Sequence, residues 1–251
     1  MKITEHGAAC CCVILGENAT WLETHAAQEL CLYIQKISGA RLLLAREREA
    51  ASLPGGRILV GRPATHGMIR AFEEREHVLP GESETENDCI AIAVRGEVLV
   101  LGGSNQRSVH YSVCHLLQEQ FGVGFYYDGD SYMQKPDLEL PDLTLVERSA
   151  FRFRHTVGQW VYNFGAFLNA EERRRELDMY AHNKINSYRF YSWNTYVRKR
   201  TFQKMGVKTE PVTPGDIARM EVVRNTAEYA RSRPGKSGHP GNASAGKPSS
   251  I

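Results

Sequence analysis

No stretch of this sequence approaches the roughly 18 to 20 consecutive apolar residues that a membrane-spanning helix requires. It has no large excess of either charge: 31 basic and 29 acidic residues leave a formal net charge of +2. A balance so even supplies no field with which to gather nucleic acid or an anionic lipid surface, and neither is expected as a partner. Metal-binding cysteine spacing is missing too. Cys10, Cys11, Cys12, Cys31, Cys89 and Cys114 form no CxxC pair, and the three consecutive ones read as small apolar residues on alternating faces of a strand rather than as a disulfide framework. No metal and no cofactor is expected. The opening residues Met1-Lys2-Ile3-Thr4-Glu5-His6 lead into no apolar core with a small-residue cleavage site, which points to the cytoplasm. Ser108 and Ser192 lie in no GxSxG elbow, so serine nucleophilic hydrolysis is unsupported. Gly235-Lys236-Ser237 has Ala230 where a phosphate-binding loop needs glycine.

What is present is the texture of a folded globular chain. Hydrophobic residues make up 42% and charged residues 24% of 251, enough apolar material for two modest domains. Residues 10–15 form a short apolar strand ending at Gly16. From Thr20 to Ile37, Leu22, Ala26, Leu30, Ile34 and Ile37 recur on one helical face, and Ser38-Gly39 supplies the left-handed stop. Arg41–Leu44 and Arg57–Val60 are strand-like, with a short helix over Ala64–Phe72. The acidic stretch Glu82–Asp88 lacks ligand spacing and reads as a solvated loop. Cys89–Val94 and Glu97–Leu101, joined at Arg95-Gly96, predict a hairpin. Gly102-Gly103-Ser104-Asn105 then opens a helix with the apolar face Val109, Val113, Leu116, Leu117 and Phe121, stopped at Gly122, and Val123–Tyr127 returns as a strand. The two glycines could present amides to an anion, but a strand-to-helix turn explains them as well. This order predicts an α/β unit with a mixed sheet. Pro136 and Pro141 mark an extended connection before Leu143–Val146, with a domain boundary near 147.

Beyond it, Phe151–Val157 alternates as a strand, an aromatic loop runs from Gln159 to Leu168, and Asn169 can cap a helix over Ala170–His182 whose Leu177, Tyr180 and Ala181 face inward. Glu171, Glu172 and Glu176 are expected as exposed partners of Arg173–Arg175. Ile185–Trp193 is a second strand, Thr195–Gly206 a helix with the basic wet face Arg198, Lys199, Arg200, Lys204 and Lys208, and Ile217–Arg231 a further helix. Strand, helix, strand, helix is how a parallel barrel begins. Residues 232–251 contain 12 Gly, Pro or Ser and are expected to be a disordered tail. A (β/α)8 barrel needs about 250 residues, so residues 148–231 are expected to hold only its first units, a truncated barrel. Sugars present apolar C–H faces and hydroxyls together. Arg154 and Trp160 after the first strand, and Tyr191, Trp193 and Asn194 at the second, are therefore the candidate substrate-binding residues, half of the aromatics there being packing residues.

The run Ala26-Ala27-Gln28-Glu29-Leu30 … Tyr33-Ile34-Gln35-Lys36-Ile37-Ser38-Gly39-Ala40, then Ile58-Leu59-Val60-Gly61-Arg62, then Leu101-Gly102-Gly103-Ser104 … Arg107 … Tyr111-Ser112-Val113 … Leu116-Leu117 … Gly122-Val123-Gly124-Phe125-Tyr126, resembles the N-terminal domain shared by α-glucuronidases, β-N-acetylhexosaminidases and α-N-acetylglucosaminidases. Ser108 departs from the glycine usual there. Phe151-Arg152-Phe153-Arg154 and Glu176-Leu177-Asp178-Met179-Tyr180-Ala181-His182-Asn183-Lys184-Ile185-Asn186 are similar to the start of the catalytic barrel in the same enzymes. The resemblance implies an arginine, Arg154, that binds substrate hydroxyls. The histidine, tryptophan and aspartate of hexosaminidases are replaced by Arg189-Phe190-Tyr191-Ser192-Trp193-Asn194, which favours an α-glucuronidase-like enzyme. The paired carboxylates of glycosidases lie after later barrel strands in these families, so no catalytic residue is assigned. The expected function is a portion of a glycoside hydrolase acting on uronic-acid or N-acetylamino-sugar glycans and inactive by itself. The alternative is a non-catalytic carbohydrate-binding or protein-docking α/β module.

Overall fold

The computed structural model of the chain describes residues 1–157, 170–189 and Gln203. Residues 1–156 and 170–189 fall within one compact unit. The apolar run after Cys10 is strand β3 (Cys11–Leu15), and all five of its residues are buried. Such a run has no wet face because the sheet is covered on both sides. Before it come β1 (Lys2–Glu5) and β2 (Ala8–Ala9), joined through His6 and Gly7, both at positive φ, as a two-residue hairpin turn requires. Strands β4 (Leu43–Arg46) and β5 (Gly56–Val60) flank β3 in parallel, and β5 pairs in parallel with β7 (Val98–Gly103). β6 (Cys89–Arg95) returns antiparallel against β7, forming the expected hairpin.

Later strands include a short hairpin of β8 (Gly124–Tyr126) and β9 (Gly129–Ser131). β10 (Leu138–Glu139) completes a small sheet with β1 and β2, and β11 (Leu143–Arg148) lies antiparallel to β6. The main sheet thus has six strands in the order β11-β6-β7-β5-β3-β4, mixed as expected. Four expectations shift, the first being the short helix expected over Ala64–Phe72, which runs Gly67–Glu76. The strand anticipated at Arg41 begins at Leu43. The strand after Gly122 stays out of the main sheet, since a tight turn gives its three residues an immediate partner in β9. The connection before 147 continues as an edge strand to Arg148.

Strand alternation sorts the core into two layers. Cys11, Val13, Leu15, Ile58, Val60, Leu99 and Leu101 face helices α1 (Trp21–Ser38) and α3 (Gln106–Glu119). Cys12, Ile14, Leu59, Val100 and Ala93 face helix α2 (Gly67–Glu76) and a 3₁₀ turn over Glu47–Ser52, through Ile69, Phe72 and Ala50. All six cysteines are free thiols, four of them buried. Among the described residues no helix is long and apolar enough to cross a membrane.

After the main sheet come β12 (His155–Val157), α4 (Ala170–His182) and β13 (Ser187–Arg189), with β12 beside β13 in a two-stranded sheet. Helix α4 corrects the expected inward face. Leu177 is 42% exposed, while Glu176 and His182 are buried. The reason is polar docking: His182 meets Glu29 of α1, and the Asn183 amide donates to the Phe125 carbonyl of β8 at 3.0 Å. Glu176 pairs with Arg173, as anticipated, but from a buried position and with the Tyr180 hydroxyl donating to it at 3.2 Å. The helices expected at 195–206 and 217–231, the basic cluster from Arg198 to Lys208 and the tail 232–251 lie outside the described residues.

The start of α1 ties sequence to stability most directly. Thr20 Oγ1 accepts from the Glu23 amide at 3.2 Å and Glu23 Oε2 accepts from the Thr20 amide at 2.7 Å, a reciprocal capping box. The second oxygen of the fully buried Glu23 accepts from Arg62 Nε at 2.8 Å and Thr65 Oγ1 at 3.0 Å. Thr20→Ala is expected to destabilise by about 1 kcal/mol. Glu23→Ala, which also strips a buried arginine of its nearest partner, should cost about 3 kcal/mol or more. Urea unfolding of both variants checks the ranking, and equal losses would show that Arg62 draws no net support from Glu23.

Candidate functional site

Two carboxylates, one largely and one fully buried, organise the region where α4 meets the α/β layers. The first is Glu29, which lies one residue short of the core residue Leu30 on α1. His110 of α3 places Nε2 2.7 Å from Glu29 Oε2, and His182 at the end of α4 places Nε2 2.7 Å from Oε1. His25, one turn earlier on α1, brings Nε2 to 3.6 Å from Oε1. Burial alone would raise the Glu29 carboxyl, but hydrogen bonds from His110 and His182 outweigh it and hold the group well below the usual carboxylate range. The rings are set by stacking: Trp21 on His25 at 5.4 Å, and Phe125 on His182 at 4.3 Å. The side-chain atoms of His25, Glu29 and His110 that could ligate a metal all lie within 4.8 Å of one another.

The second is Asp88. The acidic stretch from Glu82 is the expected loop, with Glu82, Glu84 and Glu86 exposed, and only Asp88 at its end departs from that reading. Glu82 and Glu84 approach Arg62 at 3.4 and 3.3 Å, and Asp88 is 3% exposed. Asp88 Oδ1 accepts from Asn105 Nδ2 at 2.8 Å and Arg107 Nη2 at 3.2 Å, and Oδ2 from Arg154 Nη2 at 2.6 Å and Asn186 Nδ2 at 3.0 Å. Four donors from α3 and from the approaches to β12 and β13 thus converge on one carboxylate. Burial raises this carboxyl, yet these bonds and the charges of Arg107 and Arg154 bring it below its ordinary value.

Asn105 has a second task at the start of α3. Its Oδ1 accepts from the Ser108 amide at 2.9 Å and the Ser108 hydroxyl at 3.1 Å. An amide that could have held an anion is therefore satisfied within the protein. The preceding Gly103 serves close packing, since a Cβ there would lie 2.3 Å from Ser108 Cβ.

Beside these carboxylates is a cavity of about 390 Å³ lined chiefly by Trp21, His25, Arg107, His110, Tyr111 and Asn186. The α4 residues Leu177, Asp178, Tyr180 and Ala181 close another side, and Asp178 is the one carboxylate lining it among the described residues. Of the expected substrate-binding residues, Arg154 is described. Its guanidinium, besides Asp88, donates to Ser149 Oγ at 2.8 Å and to the carbonyls of Phe151 and Lys184, and it lies 5.3 Å from the centre of the Tyr111 ring. Trp160, Tyr191, Trp193 and Asn194 lie outside the described residues. Glu29, His110, His182 and Asp88 were not singled out from sequence. A charged or titratable residue beside a core position, as Glu29 is beside Leu30 and His110 beside Val109, was the available signal.

No family model matches the sequence, and no curated protein matches it. Among solved structures the chain is similar to CpGH84D, at 15% identity over 89% of this chain and 32% of that one, with TM-score 0.54. It is also similar to BtGH115A, a family GH115 4-O-methyl-α-glucuronidase with specificity for decorated arabinogalactans, at 11% identity over 75% of this chain and 25% of that one, with TM-score 0.52. A family 89 glycoside hydrolase from Clostridium perfringens matches at 12% identity over 75% of this chain and 18% of that one, TM-score 0.45. At such identities the first two likenesses are of fold: a mixed α/β architecture like that of glycoside hydrolase domains. The chain spans about a third or less of the length of each.

The Asp88 assembly has a pH signature. A carboxyl held below its unfolded value contributes stability that is fully present above about pH 4, the unfolded aspartate value, and is lost as pH falls through the folded one. Melting temperature should therefore drop more steeply below about pH 4 in the native chain than in Asp88→Asn, whose curve starts lower at pH 7. Parallel curves would remove Asp88 from the acid response.

Proposed function

We propose that this chain is a portion of a glycoside hydrolase acting on glycans that contain uronic acids or N-acetylamino sugars, α-glucuronidase-like in the first place. In this reading residues 1–147 are its small α/β domain, residues 148–231 the first strand–helix units of a catalytic barrel, and residues 232–251 a tail. The observation that carries it is the fold likeness to the 4-O-methyl-α-glucuronidase, supported by the strand–helix–strand unit β12-α4-β13 that follows the mixed sheet.

Barrel enzymes place substrate at the C-terminal ends of their strands, while residues at the opposite ends serve stability. Arg154 stands just before β12, bound to Asp88, so its part in sugar binding is to fix where the two strands start and how their following loops are aimed. Trp160, which follows β12, and Tyr191, Trp193 and Asn194, which follow β13, are assigned the sugar itself, rings on its C–H faces and the amide on its hydroxyls. Hydrolysis needs two carboxyl groups roughly 5 to 10 Å apart across the scissile bond. None is assigned in this chain, and aryl glycosides should release chromophore only at the background rate.

An array of glucuronic-acid-capped, N-acetylhexosamine-capped and neutral oligosaccharides tests the reading. The chain should be retained on the acidic glycans, and Trp193→Ala should weaken retention about tenfold, equivalent to about 1.4 kcal/mol, with an unchanged circular dichroism spectrum. Retention only on N-acetylated glycans would move the substrate class to amino sugars. Retention on none of them overturns the proposal.

A further inference from the structure

The cluster around Glu29 has a composition that neither packing nor sugar binding requires. Among the described residues, the ion-pair partners of this carboxylate are His25, His110 and His182, with no lysine or arginine among them. Its side chain is 14% exposed, and those of His110 and His182 are 5% and 9% exposed. A buried anion normally draws a full positive charge. Imidazole nitrogens supply the hydrogen bonds here instead.

We propose that His25, Glu29 and His110 bind a transition-metal dication of borderline softness, zinc(II) foremost, at the edge of the cavity between α1, α3 and α4. Two imidazoles and one carboxylate are a donor set that zinc takes readily, with a fourth position left for water. The spacing suits it. His25 and Glu29 stand four residues apart on α1, hence one above the other on the same face, and His110 faces them from α3. Ligand atoms about 2.0 to 2.2 Å from a tetrahedral zinc are about 3.3 Å apart. His25 Nε2 is 3.6 Å from Glu29 Oε1, and His110 Nε2 is 2.7 Å from Oε2. The ion would therefore draw the first pair in slightly and part the second by roughly half an ångström.

The surroundings hold these ligands in place. His182 donates to Glu29 Oε1 and so orients the carboxylate, as outer partners of metal ligands do. Trp21 lies parallel on the His25 ring, 3° from coplanar, and Cys114 Sγ packs 3.6 Å from His110 Nε2. His25 and His110 both line the cavity of about 390 Å³, which gives the ion an entry path and the fourth position a view of solvent. Magnesium and calcium, which demand six or more oxygen ligands, find too few here. The proposal is independent of the carbohydrate reading and stands or falls apart from it.

The test uses the full chain, stripped with a chelator and titrated with zinc against a chromogenic competitor at pH 7.5, with cobalt(II) substitution read by visible absorption. One equivalent of zinc should bind, raise the melting temperature, and give with cobalt the intense bands of a four-coordinate nitrogen and oxygen site. His25→Ala, at a side chain 41% exposed and so tolerant of truncation, should weaken binding tenfold or more. His25→Cys should restore it with added thiolate charge-transfer absorption, and His6→Ala, at an exposed histidine elsewhere, should change nothing. Binding unaltered in His25→Ala, thiolate absorption in the native chain from the Cys10–Cys12 run, magnesium binding as tight as zinc, or no stoichiometric binding at all would each overturn the site.

Discussion

Taking a carboxylate out of water costs several kcal/mol unless donors surround it, and this protein meets that constraint at Glu23, Glu29 and Asp88. Each is buried or nearly so, and each gathers partners from segments far apart in the chain. Glu23 closes the N-terminus of α1 and holds Arg62. Glu29 holds His110 of α3 and His182 of α4. Asp88 holds Asn105, Arg107, Arg154 and Asn186. The apolar layers of the sheet can form without them, but the placement of α4 and of the strand starts around it depends on the last two.

This division of labour bears on function. Hydrophobic contact is non-directional, so it would let α4 slide on α3 and β8. Charge-assisted hydrogen bonds to a fixed carboxylate are directional and set the helix, and with it the starts of β12 and β13, in one register. The glycosidase reading needs that register, because a sugar pocket assembled from the ends of successive strands tolerates little displacement of any one of them. The same rigidity gathers His25, Glu29 and His110 at one edge of a cavity. Arg154 thus looks inward, to Asp88, rather than toward a ligand.

Much of the architecture was readable from local pattern. Helix α1 follows from Leu22, Ala26, Leu30, Ile34 and Ile37 and from the stop at Gly39, which takes the left-handed conformation with φ 81°. The hairpin of β6 and β7 follows from two apolar runs about Arg95-Gly96, and the buried strands from their unbroken apolar character. Errors fell where a partner outside the segment decides the outcome. Asp88 ends a run of glutamates and serines that belongs in water by composition, yet it is buried by donors from residues 105 to 186. Helix α4 has a plausible apolar face in Leu177, Tyr180 and Ala181, but it docks through Glu176 and His182 because the surface it meets presents Glu29 and backbone carbonyls.

Although the short strands β1, β2, β9 and β10 were not legible in it, the sequence by itself determined helices α1 and α3 and the long strands of the main sheet, how the sheet faces alternate, and the resemblance in fold that the solved structures share. These depend on side-chain period and on capping residues within a few positions. Only the tertiary structure decided which charged residues lie inside and what they hold. Glu29 meets His110 across 81 residues of chain and His182 across 153. No local period encodes such a meeting, since two carboxylates of identical neighbourhood differ only in whether a distant donor arrives to replace the water each gives up.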